Sequence, residues 1–141
     1  MKLSEKLDQM NACQEAVDWI GRRGLMTSWR DCKRADWMLW AAVKLNIDKK
    51  LIVLAACDCA ETALQYVPDG EDRPARAVQT SRNWCNGTAT RQECRKAAAD
   101  AAHAAAHAAH AARRSTRAIC ADLVRQRMPF LLIKKAWKLA Q

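Results

Sequence analysis

Turn-forming residues are scarce in this 141-residue chain, which has four glycines and three prolines. A sandwich or barrel of this length needs a turn roughly every 8–12 residues and more of both residue types, so the scarcity argues against an all-β fold and for a few long helices. Phenylalanine and tyrosine are nearly missing, with one of each beside six tryptophans. No stretch approaches the roughly 18 consecutive apolar residues of a membrane span, so no membrane partner is expected. Acidic side chains are also in deficit, 15 against 24 Lys and Arg, for a formal charge of +9. That sign favours anionic partners and disfavours acidic mimicry.

Alanine is abundant, at 28 positions, and it is the best helix former. With 50% hydrophobic and 28% charged residues, the composition is that of a soluble folded chain of one domain's length. The charge is unevenly placed. Residues 1–112 carry 16 basic and 14 acidic side chains, whereas residues 113–141 carry 8 basic residues against Asp122 alone. Seven cysteines form no Cys-x-x-Cys pair, and the polar start Met1-Lys-Leu-Ser-Glu-Lys lacks an apolar signal core. Reduced cysteines in a cytoplasmic protein are therefore expected, serving as small core residues.

Apolar spacing predicts an amphipathic helix over Leu3–Ile20, a short helical turn at Thr27–Asp31 and a helix capped by Asp36 through Val43. Asp48 caps a third helix, apolar almost all round and so expected to be the central buried element, which Pro68-Asp-Gly ends. Pro74 suits the first turn of the next helix, and Asn86-Gly87 its end. Thr90-Arg-Gln-Glu93 is a capping box, and nothing after it breaks a helix before Pro129, so about 38 residues run as one rod of some 55 Å. The expected fold is an all-α compact bundle of five or six helices around this Ala-rich spine. Residues 1–128 form the domain, and 129–141 form a basic amphipathic C-terminal helix or tail that packs on the bundle or makes a homo-oligomer contact.

At 100° per residue, Lys96, Asp100, His103, His107, His110, Arg114 and Arg117 share an arc of about 100° on the long helix, opposite Cys94, Thr116, Ile119 and Leu123. A solvent face is one reading. All three histidines of the chain lie here, however, and each costs helix stability relative to alanine. The sharper reading is an anion-binding groove of imidazole and guanidinium donors. A metal held by His103, His107 and His110 with Asp100 competes with it, although neighbouring arginines disfavour a cation and no general-base glutamate follows. Arg73 and Arg76 open a helix and Arg34 precedes another, so all three are further candidate donors. Trp37 and Trp40 share a helix face and would either wall a pocket or fill the core. With no Gly-rich phosphate loop and no Gly-x-Ser-x-Gly nucleophile, a non-enzymatic protein without cofactor is expected.

Taken in order, Arg34-Ala-Asp-Trp-Met-Leu-Trp40, Leu51-Ile-Val-Leu-Ala-Ala-Cys-Asp-Cys-Ala60, Glu71-Asp-Arg-Pro-Ala-Arg-Ala77, the Trp84 helix with Gly87, and the Ala-rich helix with Ala121-Asp-Leu-Val-Arg125 resemble the immunity proteins of polymorphic toxin systems, specifically the fifth immunity family. Phage genomes carry members of similar appearance. The resemblance covers roughly residues 12–130 and implies an all-helical, non-catalytic protein of biological conflict. Such a protein either neutralises a toxin or counters a host defence. An immunity protein against a nuclease is usually acidic, so +9 points instead to a phage-type inhibitor that sequesters an anionic partner, such as a nucleotide signal or nucleic acid. Direct binding of a protein toxin or defence effector is the first alternative, and a basic DNA-binding protein the second.

Overall fold

The computed structural model describes residues 1–141, the side chain of Arg114 excepted. The chain forms α1 (Leu3–Gln9), α2 (Gln14–Ile20), α3 (Leu25–Asp31), α4 (Ala35–Lys44), α5 (Lys49–Ala63) with a 3-10 turn at Leu64–Tyr66, α6 (Arg73–Cys85), α7 (Arg91–Arg127) and α8 (Phe130–Leu139), and the described residues contain no strand. The all-α expectation holds with more helices than expected. One reason is that the segment Leu3–Ile20 is two helices and not one. Asn11 takes φ 62°, a left-handed conformation that asparagine tolerates. The Ala12 amide then reaches back to the Leu7 carbonyl at 3.0 Å, closing α1 so that the chain turns before α2. Asn46 ends α4 in the same way, with φ 54° and Ile47 N donating to Ala42 O at 3.0 Å. Gly87 ends α6 as its position suggests, at φ 79°.

Local signals set the other boundaries. Asp48 Oδ1 accepts from Lys50 N at 3.0 Å to start α5. Thr90 Oγ1 accepts from Glu93 N at 3.1 Å while Glu93 Oε1 accepts from Thr90 N at 3.3 Å, so the expected capping box opens α7. That helix spans 37 residues, about 55 Å at 1.5 Å per residue.

From its start to Thr116, α7 packs on α5 and α6 mainly through alanine, burying Ala101, Ala108, Ala112 and Thr116. Side chains this small allow close approach of the helix axes. From Ala121 the buried positions are Ala121, Val124 and Met128, about half a turn round the helix at 100° per residue. The core-facing side therefore changes partway along α7. Ile119, expected on a core-facing side, falls where one buried face has ended and is 52% exposed.

The main core lies at this C-terminal end, where Trp29, Met38, Ala42, Leu45, Val124, Met128 and Ile133 meet. Helix α5, expected to be the central buried element, packs on α4, α6 and α7, but of its residues only Ala55 and Cys57 are buried. Ile133 of α8 is 1% exposed and Trp137 packs against the core, while Lys134, Lys135 and Lys138 face solvent.

Two polar devices lock the helices. Trp29 Nε1 donates to Met128 O at 3.1 Å at the end of α7, and Arg125 Nη1 donates to Trp29 O at 2.9 Å and Cys32 O at 2.7 Å at the end of α3. Each helix thus satisfies terminal carbonyls of the other. Asp58 of α5 accepts from Arg127 Nε at 2.7 Å and from Arg82 Nη2 at 2.9 Å, joining α5, α6 and α7, and Arg82 also meets Glu61 at 2.8 Å.

Candidate functional site

Because α7 spends its alanine face on α5 and α6, the opposite side is left to solvent as far as Arg117. Lys96, Asp100, His103, His107, His110 and Arg117 are all exposed there, with Arg113 beside them. The side chain of Arg114 lies outside the described residues. The rings of His103 and His107 approach edge to face, with centroids 6.3 Å apart. Neither Arg113 nor Arg117 forms an ion pair among the described residues, whereas Arg30, Arg34, Arg73, Arg76, Arg82, Arg125 and Arg127 all do. Uncommitted guanidiniums beside imidazoles, which can donate or accept, suit carboxylate or phosphate acceptors. Among the described residues, no group of three or more His, Cys, Asp and Glu is arranged to hold a metal ion.

The other candidates stand in two further places. Arg73 is held by Glu71, with Nη2 to Oε2 at 2.5 Å and Nε to Oε1 at 2.8 Å, and these bonds bring the Glu71 carboxyl down to about 2. Arg76 pairs with Asp72 at 3.2 Å. The start of α6 therefore carries compensated charge.

Arg34 sits before α4, pairs with Asp36 at 2.7 Å and Glu15 at 3.3 Å, and lies 4.4 Å over the Trp37 ring. Its hydrogen bonds hold the Asp36 carboxyl below the ordinary range. Trp37 leans on Trp19 with centroids 6.0 Å apart, and Lys44 lies 5.6 Å over Trp40. Arg34, Trp37 and Trp40 line one cavity, at which neither the histidines nor Arg73, Arg76 and Arg117 appear. The nine described candidates thus form three groups and no single pocket.

The basic C-terminal stretch also divides. Arg125 and Arg127 turn inward to the bonds described above, which leaves Arg113, Arg117 and the α8 lysines as its exposed cations among the described residues. Sequence reasoning missed the Asp58 cluster. One signal for it existed: Asp58 is the only charged residue between Lys50 and Glu61. Such a carboxylate on an otherwise apolar helix needs a buried cation as partner.

Searches of curated proteins and of solved structures found no match to this chain. One family model, described as "Imm-5 like putative immunity protein", matches residues 45–125, from the end of α4 through α5 and α6 and most of α7. That span is more than half of the chain and holds the whole histidine stripe, and the chain belongs to this family.

Proposed function

We propose that this protein is a non-catalytic immunity protein that neutralises a protein toxin by direct binding, and that the exposed cationic face of α7 docks on an anionic surface of that toxin. One observation carries the choice of face: Arg113 and Arg117 stand exposed and unpaired beside three exposed histidines, while most other arginines are spent on the chain's own carboxylates. Charge left free on a rigid helix steers association and sets specificity. Membership of an immunity family supports a protein as the partner.

The test is calorimetry with a candidate toxin from the same locus. A stoichiometric complex is expected, with affinity that falls as salt rises. The double change Arg113→Glu and Arg117→Glu should weaken it about 100-fold at unchanged melting temperature. Affinity indifferent both to salt and to that change would overturn the choice of face.

A second reading retains the same cations but gives them a nucleotide immune signal, as an anti-defence protein of phage would require. It is favoured by the imidazoles, which pair naturally with phosphate oxygens. Saturable binding of a cyclic or linear oligonucleotide by the wild type, lost in the double variant, would select it over the toxin.

A further inference from the structure

Away from the α7 stripe, a cavity of about 450 Å³ lies among α1, α2, α3, α4 and α8. Five of the six tryptophans line it: Trp19, Trp29, Trp37, Trp40 and Trp137. Leu3 and Leu7 of α1 form part of its wall. That helix buries none of its own residues and packs mainly on α2, so it covers the cavity without belonging to the core. Volumes of a few hundred Å³ with apolar aromatic walls and few polar groups are typical of small-molecule sites.

Two polar features define what would fit. Ser28 lines the cavity, is 6% exposed, and its Oγ has no hydrogen-bond partner, a costly state for a buried hydroxyl. Among the described residues the only charged side chains at the walls are Glu15, Arg34 and Asp36, and Arg34 ties to Glu15 at 3.3 Å and to Asp36 at 2.7 Å. A charged ligand would enter an apolar space without a free counter-charge.

Every lining residue except Leu45 lies outside the span matched by the immunity family. The cavity is therefore independent of the toxin-binding proposal.

We propose that this cavity is a binding site for a small, uncharged aromatic molecule that carries one hydrogen-bonding group, its ring against the tryptophans and that group on Ser28 Oγ. Ring stacking supplies the affinity, and the hydroxyl sets the orientation.

The experiment titrates the full chain with 2-naphthol, naphthalene and 2-naphthoate, following the indole N–H resonances of all six tryptophans. Expected are saturable shifts for the cavity tryptophans with Trp84 unmoved, and 2-naphthoate binding at least tenfold more weakly than 2-naphthol. Ser28→Ala should lower 2-naphthol affinity about tenfold and leave naphthalene unchanged. This variant removes an unsatisfied hydroxyl and so retains the fold. The proposal is overturned by any of three results: no saturable shift, shifts spread equally to Trp84, or equal affinity of Ser28→Ala for 2-naphthol.

Discussion

Arg125 lies in a basic stretch of sequence, yet its guanidinium is spent inside the fold on the carbonyls of Trp29 and Cys32, with Asp122 on its other nitrogen at 2.6 Å. A hydrogen bond from a charged donor to a half-buried carbonyl contributes roughly 1.5–3 kcal/mol. Arg125→Ala should therefore destabilise by about 2–3 kcal/mol in urea unfolding. Arg125→Lys should recover only part of that, because an ammonium lacks the planar fork that serves two carbonyls and a carboxylate together. Cysteine chemistry is similarly decided by surroundings. Burial, reinforced by the neighbouring Cys120 thiol, pushes the Cys59 thiol up to about 12, whereas Cys13 is exposed. Thiolate is the reactive form, so iodoacetamide at pH 8 should alkylate Cys13 readily and leave Cys59 untouched until denaturant is added, as peptide mapping would show.

Among the elements, α7 is the one whose beginning is plainest in sequence. Thr90→Ala removes the cap that accepts from Glu93 N, and should cost about 1 kcal/mol in unfolding free energy, with faster hydrogen exchange confined to the first turns of the helix. Helix α8 contributes through Ile133, which is 1% exposed against Val124 and Met128 of the core. Ile133→Ala should cost about 2–5 kcal/mol, the range for deleting a buried aliphatic side chain. Helices α5, α6 and α7 are joined by Asp58, whose carboxyl lies below its ordinary range because Arg127, and then Arg82, hydrogen-bond its charged form. A carboxyl with a lower pKa folded than unfolded adds stability that is complete above the unfolded value, about 4, and is lost as pH falls through the folded one. The urea midpoint should accordingly be level from pH 7 to 5 and drop below about pH 4. Asp58→Asn should be less stable by about 1–3 kcal/mol at pH 7, and less sensitive to acid.

For the molecule as a whole, the formal charge of +9 is less informative than where unpaired charge remains. Arg113 and Arg117 are exposed and unpaired, so reversing both should leave thermal stability within about 0.5 kcal/mol while reducing the salt dependence of partner binding. The three groups of candidate donors differ for the same reason. Arg73 and Arg76 have acidic neighbours two and four residues away, and Arg34 gains Glu15 from another helix, whereas no described carboxylate pairs with Arg113 or Arg117.

Helix content, the long α7, its capping box and the exposed histidine face were legible in the sequence, because they depend on residues within a few positions of one another: periodicity, caps and breakers. The break at Asn11 was less legible, since a left-handed asparagine is permitted by its side chain but not required by it. Other features depend on residues far apart in sequence, 24 positions for Arg82 and Asp58 and 99 for Trp29 and Met128, and on which face of α7 each neighbour covers. These include the shift of the buried face beyond Thr116, the inward turn of Arg125 and Arg127, the Asp58 cluster and the gathering of five tryptophans around one cavity. Helical spacing specifies that a face is apolar or cationic. Only packing, through close approach along alanine and the pairing of buried charge, selects the partner that each face meets.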